Sequence, residues 1–295
     1  MTDQATLPPP VKVDGPNVYS IPEAEYHARP ELSSTGIRKL LPPSCPALFQ
    51  HWRENTEPRK KAWDIGSAAH KLVLGVGPEL VVVEGDGKLG PEVWNTSTVK
   101  AKVTAVRDRG GITLKPSEFE VVQAMAAKLR EHPVASRLFE PGAGRGEQTL
   151  IWRDERTGVM CRALLDWLEA PTGRRFLLRD YKSGRSAAPD KLGRTIADYG
   201  YHVQLAHYLA GCRALGLAGD DAQALLVFQE TSAPYLVTVS QPDPTAMRLG
   251  AIRVREALDL YAECTASGRW PGYSDEVVLT ELPAWETKEL NGAIW

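Results

Sequence analysis

The segment LLRDYKSG, residues 177–184, combines residue types that seldom share a buried strand. Its apolar start predicts a strand, and alternate side chains of a strand lie on one face. Asp180 and Lys182 are therefore expected to share a face, while Tyr181 points to the other. A carboxylate and an amine side by side, where a strand leaves a sheet, indicate either a functional cluster or a structural ion pair.

The turn before this strand brings a second carboxylate to the same place. The sequence APTG, residues 170–173, favours a turn between the strand predicted over 159–169 and the one over 175–182. If the hairpin turns about Thr172 and Gly173, Asp166 lies directly opposite Asp180, with Cβ atoms about 5 Å apart. Two such carboxylates require a shared proton or a cation, and oxygen ligands suit Mg²⁺ or Mn²⁺. The alternative is a structural cluster in which Lys182 neutralises one acid.

The remaining sequence predicts a mixed α/β fold with a central sheet and helices on its faces. Ser33 or Ser34 is expected to cap a helix in PELSSTGIRKLLPPS, and Ser117 to cap a later one. Helices are predicted over residues 33–41, 60–75, 91–112, 115–133, 198–216 and 244–267. Strands are predicted over residues 79–85, 147–154, 159–169, 175–182, 224–231 and 235–240. Loops are expected at PGAGRGE, residues 141–147, and in the basic stretch that follows Lys182.

Length and composition favour one large globular domain. The chain has 295 residues, of which 43% are hydrophobic and 24% charged. We expect a mobile, proline-rich arm over residues 1–18 and a single domain over 19–295. No apolar run approaches the roughly 20 residues that span a bilayer, and no secretory signal opens the chain, so a cytoplasmic location is expected. The four cysteines contain no C-x-x-C pair, which favours reduced, mostly buried thiols over a metal or iron–sulfur site.

The distribution of charge along the chain is more informative than the net charge. A net charge of −2 neither favours nor excludes a polyanionic partner. Between Arg174 and Arg194, however, seven Lys or Arg residues stand against two Asp, and a second basic cluster lies at residues 59–61. These stretches are either a binding surface for a polyanion or a solvated basic face.

The order of the candidate residues is itself a pattern. His70, Asp166, Asp180-x-Lys182 and Gln204-x-x-x-Tyr208 occur in the order seen in the PD-(D/E)XK nuclease superfamily, and the chain resembles more narrowly the phage and prophage exonucleases related to RecE, or exonuclease VIII. The resemblance runs from about Tyr19 to the C-terminal tail. It rests on LSSTGIRKLLPPSCPALF, GSAAHKLVLG, ITLKPSEFEVVQAMAAKLREHP, CRALLDWLE, RDYKSG and YHVQLAHYLAG. The RecB and AddB nuclease domains share this order of residue types.

The chain departs from these families at two points. Leu165 stands before Asp166, where the complete motif has proline. The four-cysteine cluster of the iron–sulfur nucleases is missing, which argues against AddB-like and CRISPR-associated relatives.

The resemblance implies a restriction-endonuclease-like core that holds one or two divalent ions, Mg²⁺ or Mn²⁺. The implied ligands are His70, Asp166, Asp180 and the backbone carbonyl of Tyr181. Such an ion polarises the phosphate and lowers the pKa of a bound water. Lys182 is then expected to orient the water and neutralise charge, because the carboxylates oppose the lowered pKa that a lysine base requires. Gln204 and Tyr208 are expected to orient the lysine or to hold the DNA backbone.

A second DNA contact is expected at the helix that starts in LSSTGIRKLL. The hydroxyls and free N–H groups of Ser33, Ser34 and Thr35 form a natural phosphate site, and Arg38 adds charge. In lambda exonuclease, a similar fold, a comparable helix start engages the 5′ phosphate. The alternative is a plain helix cap. At the end of the lysine strand, Ser183 and Arg185 are the remaining predicted DNA contacts.

The function implied is a metal-dependent 5′→3′ exonuclease that leaves 3′ single-stranded tails on double-stranded DNA for phage-type recombination. The expected partners are duplex ends, a RecT-like single-strand annealing protein and further copies of the chain in a ring trimer or tetramer. Three alternatives stay open. They are an endonuclease or helicase-associated nuclease module with the same site, a DNA-binding protein without catalysis, and a structural ion-pair cluster with no nucleic-acid role.

Overall fold

A computed structural model of the chain describes residues 11–12, 17–55, 63–87, 90–170, 173, 175–283 and 286. Within these residues the strands are β1 (Val11–Lys12), β2 (Val18–Ser20), β3 (Leu80–Val82), β4 (Ile112–Leu114), β5 (Gly144–Arg153), β6 (Met160–Glu169), β7 (Leu177–Gly184), β8 (Gln223–Glu230) and β9 (Val237–Ser240). The helices are α1 (Glu23–Ala28), α2 (Ser34–Leu40), α3 (Pro46–Glu54), α4 (Trp63–Leu74), α5 (Ser97–Asp108), α6 (Pro116–Glu131), α7 (Ala135–Leu138), α8 (Pro189–Asp198), α9 (Tyr201–Ala214) and α10 (Pro244–Ser267).

Seven of the described strands form one mixed sheet in the order β1-β2-β5-β6-β7-β8-β9. Only β7 and β8 pair in parallel among them, and the other neighbours are antiparallel. β3 and β4 form a separate parallel pair. The predicted mixed α/β fold with a central sheet is therefore confirmed.

Two apolar clusters cover opposite faces of β7 and β8. One joins Leu178 and Leu226 to Leu205 of α9 and Ile37 of α2. The other joins residues of the opposite parity, such as Tyr181 and Val227, to α4 and α6. Asp180 follows the parity of Leu178, so its carboxylate lies under α9. The expected alternation of side chains in this strand is thus present.

The register of the β6–β7 hairpin agrees with the one predicted from its turn. Trp167 pairs with Arg179, so the next positions outward, Asp166 and Asp180, lie opposite each other. Next to that pair, Arg179 and Glu169 form a half-buried ion pair. The hairpin therefore delivers both carboxylates to one end of the sheet.

Several sequence-based expectations were wrong. The basic stretch after Lys182 contains a helix, α8, which begins with Pro189 at its first turn and buries Leu192 and Ile196 one turn apart. The helix predicted over 91–112 is shorter, α5 at Ser97–Asp108, and β4 begins at Ile112, the last residue of the predicted stretch. Ser117 does not cap α6, because Lys115 occupies that position and the Ser117 hydroxyl donates to Glu92 instead. β5 begins at Gly144, inside the segment expected to be a loop.

Other expectations concern the N-terminus and the thiols. Val11 and Lys12 pair with β2 at the sheet edge, within the segment for which the prolines predict a mobile arm. Residues 1–10, 13–16 and the basic cluster at 59–61 lie outside the described residues. All four cysteines are buried and unbridged, as expected. No helix in the described part of the chain combines the length and apolar character needed to cross a membrane.

Candidate active site

The two carboxylates and the lysine meet at the end of β7. Asp180 is fully buried, and its Oδ2 lies 2.6 Å from Lys182 Nζ. Asp166 is also buried, and its Oδ2 accepts the Tyr181 backbone N–H at 2.6 Å. The Asp166 side chain thereby binds the neighbouring strand at the position where a backbone carbonyl would bind in a regular ladder. This contact fixes the carboxylate against β7.

Helix α4 places His70 against this cluster. Its Nε2 lies 3.1 Å from Asp166 Oδ2, and its ring is 5.9 Å, centroid to centroid, from that of Tyr181. The small residues of GSAA allow the approach, since Ala68 and Ala69 are fully buried. A Cβ at Gly66 would lie 3.0 Å from Ser183 Oγ. Larger side chains here would push α4, and His70 with it, away from β7.

Glu147 is a candidate residue that the sequence reasoning missed. Its Oε1 lies 3.6 Å from His70 Nδ1, so the imidazole stands between two carboxylates. It occupies the position opposite Asp166, between the pairs Gly146–Trp167 and Gln148–Leu165. Its φ of 49° is unusual for a residue other than glycine. The turn ERTG before β6 contained the signal, because a hairpin turning about that tetrapeptide puts residue 147 opposite 166.

The charges in the cluster move the two acids apart in pKa. Burial and the neighbouring Asp166 raise the pKa of Asp180 to about 6. Burial alone would raise the pKa of Asp166 as well, but the charge and hydrogen bond of His70 hold it below its usual value. Burial disfavours the charged form of His70, yet Asp166 and Glu147 raise its pKa to about 10. Asp180 therefore takes up a proton at a higher pH than Asp166 does.

Lys182 is held in its charged form. Burial would lower its pKa, but Asp180 and Asp166 together raise it above the usual value. Its ammonium group lies 5.0 Å from the centre of the Tyr201 ring, a cation–π contact. A permanently charged lysine suits orientation and charge neutralisation better than proton abstraction.

Helix α9 holds the other oxygen of Asp180. Gln204 Nε2 donates to Asp180 Oδ1 at 2.9 Å and to the Tyr208 hydroxyl at 3.1 Å. The Tyr208 hydroxyl also lies beside the Ser34 side chain at the start of α2. A chain of buried polar groups thus links α2 through α9 to the carboxylate. In this structure Gln204 orients Asp180 rather than the lysine.

The start of α2 is engaged within the protein. Ser33 is the N-cap residue and accepts the Gly36 N–H at 3.3 Å. The Arg38 guanidinium donates to the Tyr199 carbonyl and, at 3.3 Å, to Thr35 Oγ1. Burial lowers the pKa of Arg38. These side chains connect α2 to the turn between α8 and α9.

An open cavity of about 500 Å³ adjoins the cluster. It is lined by residues of α4, the end of β7 and the segment after β8, including His70, Lys182, Ser183, Arg185 and Thr231. Two of the predicted DNA contacts, Ser183 and Arg185, thus lie at the same opening as Lys182. A second cavity of about 310 Å³ lies between α9 and the start of α10 and has none of the acid-cluster residues in its lining.

The donor set fits a hard ion that also takes ligands from substrate. In the described part of the chain, no three His, Cys, Asp or Glu side chains are grouped as a complete metal site. Two buried carboxylates and a nearby carbonyl nevertheless match Mg²⁺, which typically binds one or two carboxylates and completes its shell with water and substrate phosphates. Their mutual repulsion, seen in the raised pKa of Asp180, is what such a cation relieves. His70 would ligate only after losing its proton, because metal ligands must be deprotonated.

Comparisons with known proteins show the family and the fold. The fold is similar to the crystal structure of a "Putative exonuclease" from Eubacterium rectale, with a TM-score of 0.55, 11% identity, and coverage of 90% of this chain and 95% of that chain. A weaker likeness, with a TM-score of 0.34 and 14% identity, covers 81% of this chain and 96% of a phage related exonuclease from Haemophilus somnus 129PT. No curated protein matches the sequence. The family profile described as PDDEXK-like domain of unknown function (DUF3799) matches residues 33–282, and the chain therefore belongs to this PD-(D/E)XK-type nuclease-like family.

Proposed function

We propose that this protein is a metal-dependent exonuclease that degrades double-stranded DNA from its 5′ ends and leaves 3′ single-stranded tails for recombination. The observation that carries the proposal is the cluster of Asp166, Asp180 and Lys182 at the end of β7, beside an open cavity. Nucleases of the PD-(D/E)XK type generally use divalent ions. The exonuclease activity and its polarity are inferred from the order of motifs that resembles the RecE-like enzymes.

Each residue of the site has its own proposed role. Asp166, Asp180 and the Tyr181 carbonyl would hold Mg²⁺ or Mn²⁺, which polarises the phosphate and activates water. Lys182, charged and lining the cavity, places a positive charge beside the phosphate and orients the water. Gln204 holds Asp180 in place, and His70 positions Asp166 or joins the ion after losing its proton. Ser183 and Arg185 contact the DNA backbone.

A second candidate is an endonuclease with the same site. The cavity is open, and nothing in the acid cluster itself demands a strand end. This candidate differs from the first in one observable: an endonuclease cuts closed circular DNA.

The partners belong to the same proposal. A 3′ tail in the host cytoplasm needs a single-strand annealing protein, and a ring of three or four copies would hold the duplex during repeated cleavage. Residues 273–283 leave apolar side chains exposed after α10, and we assign them to contact with another subunit.

The test is degradation of linear duplex DNA labelled at the 5′ end or at the 3′ end in turn, with Mg²⁺. The wild type should release the 5′ label as mononucleotides and spare closed circles. Lys182→Ala should lower the rate by about 10²–10³-fold, as when one stabilising charge leaves an active site. Lys191→Ala, on the exposed face of α8, is the matched control and should act as the wild type does.

The outcomes separate the candidates. Cleavage of circles would favour the endonuclease. Release of label from 3′ ends alone would contradict the proposed polarity. Binding of DNA without cleavage, in both Mg²⁺ and Mn²⁺, would leave a DNA-binding protein with a structural ion-pair cluster.

A further inference from the structure

Two tyrosines form a stack beside the lysine of the candidate site. The ring of Tyr201, the first residue of α9, lies 5.0 Å from Lys182 Nζ, centroid to atom. The ring of Tyr199 stacks on that of Tyr201, with centroids 5.5 Å apart and planes inclined by 13°. Tyr199 is 60% exposed, whereas Tyr201 is half-buried against Phe228. One end of the stack thus contacts the site, and the other is open to solvent.

The turn that carries Tyr199 is held at both of its backbone polar groups. Its N–H donates to the Thr195 carbonyl at 3.1 Å, and its carbonyl accepts the Arg38 guanidinium. Gly200 follows with a φ of 64°, and a Cβ there would lie 2.6 Å from Arg38 Cδ. Arg38 therefore fits against the turn only because residue 200 has no side chain. The backbone that carries the exposed ring is therefore held by α2 and α8.

Burial in the core does not account for the position of Tyr199. Exposed aromatic residues occur singly on many surfaces. Here, however, the ring is parallel to a second ring that touches a charged lysine, and both ring positions are set by a constrained turn. Flat aromatic faces in this setting bind nucleobases, since every base offers a π-face.

We propose that the Tyr199–Tyr201 stack is a nucleobase subsite, which binds the base of a nucleotide flanking the cleaved phosphate. This rests on the proposed nuclease function. Bases inside a duplex already stack on both faces, so a face free for Tyr199 exists at a strand end or on an unpaired nucleotide. The subsite therefore takes the terminal base and adds preference for DNA ends without preference for sequence.

The experiment uses duplex DNA that carries the fluorescent base 2-aminopurine, either at the 5′ terminus or in the middle of the strand. The full chain is mixed with each in Ca²⁺, and fluorescence and Kd are measured. Stacking on the wild type should quench the terminal probe more than the internal one. Tyr199→Ala should abolish this difference and weaken binding to the terminal probe about 5- to 100-fold, whereas Tyr199→Trp should retain both.

The control is Ile252→Ala, which removes an exposed apolar side chain of α10 that does not line the cavity and should behave as wild type. In Mg²⁺ turnover assays, Tyr199→Ala should raise KM by a similar factor while kcat changes less than about threefold. Circular dichroism should be unchanged, because the ring is exposed. If Tyr199→Ala degrades linear DNA and quenches the terminal probe as the wild type does, the subsite is wrong and the nuclease proposal stands. If the wild type neither binds nor cleaves DNA, both fail.

Discussion

Asp180 has no exposed surface and is contacted at both carboxylate oxygens, by Gln204 at Oδ1 and by Lys182 at Oδ2. Burying a carboxylate is costly unless it is paired and hydrogen-bonded. The two contacts offset this cost, while Asp166 nearby works against it and keeps the pKa of Asp180 raised to about 6. Gln204 is absent from the lining of the cavity, so its effect on catalysis should pass through the carboxylate.

Replacing Gln204 should therefore weaken metal binding more than it weakens the fold. Gln204→Met keeps the volume and removes the donor to Asp180. We expect activity to fall about 10–100-fold, as is typical when a partner of a metal ligand is lost, with partial recovery at high Mg²⁺. Activity measured across a Mg²⁺ titration checks this. Gln223→Met, on β8 outside the site, should leave the midpoint of the Mg²⁺ titration unchanged. Equal midpoints for the wild type and Gln204→Met would contradict the role of Gln204 in holding Asp180.

The buried His207, which lies outside the site, should make the stability of the protein depend on pH. It is fully buried, its Nε2 lies 3.0 Å from the Arg162 carbonyl, and burial lowers its pKa to about 4. In the unfolded chain this histidine binds a proton near pH 6.5, whereas in the folded chain it does so only near pH 4. The stability that the neutral histidine contributes is therefore fully present above pH 6.5 and is lost as the pH falls toward 4. The loss should be about 3 kcal/mol.

Chemical unfolding of wild type and His207→Met at pH 7 and pH 4.5 checks the assignment. The variant should be less stable at pH 7, because the Arg162 carbonyl loses its donor, but should lose less stability on acidification. His51→Gln, exposed on α3, is the control for the loss of a histidine as such. An equal acid-induced loss in His207→Met and the wild type would rule out His207 as its source.

The residues of the site were predictable only where short-range geometry determines them. Asp166 and Asp180 lie on β6 and β7, strands that are close in the sequence, so the position of the predicted turn alone gives their register. The contact of Gln204 with Asp180 depends on how α9 packs on the sheet, which no local pattern specifies. Glu147 lay within reach of the same turn reasoning. Its left-handed backbone conformation is set by the surrounding strands.

Local sequence signals explain which helices and strands were predicted correctly and which were not. α10 has the predicted bounds because Asp243 caps it, Pro244 begins it and Gly268 ends it at a φ of 70°. β4 has three residues, too few for periodicity, and exists through pairing with β3. α8 was missed because its proline and basic residues are typical of loops, although Leu192 and Ile196 have helical spacing.

The crossing of α9 and α10 gives a prediction about packing. A Cβ at Gly250 of α10 would lie 2.3 Å from the His202 carbonyl oxygen, a backbone atom that cannot turn away. Gly250→Ala should therefore cost about 1–3 kcal/mol of stability, despite the better helix propensity of alanine. Gly193→Ala in α8 meets open space and should add about 0.5–1 kcal/mol. Urea unfolding of both variants checks the signs; stabilisation by both would show that the crossing can relax.

For the whole molecule, the fold class was predictable because strand and helix patterns alternate along most of the chain and the hairpin β6–β7 is local. The strands at the edge of the sheet were less predictable. β1 and β2 have two and three residues; β2 joins the sheet by pairing with β5, far along the chain, and β1 by pairing with β2. Assembly depends on a surface that one chain leaves uncovered.

The segment after α10 is such a surface. Val277, Leu279 and Leu282 are each more than 60% exposed, and Leu279 is 89% exposed. Several large apolar side chains in one exposed segment are typical of an interaction site. If they join copies of the chain, Leu279→Asp should shift a trimer or tetramer toward monomer in sedimentation velocity at micromolar concentration. Thr280→Asp adds the same charge at the exposed neighbouring residue and should leave the assembly intact. A wild type that sediments as a monomer would contradict the proposed ring.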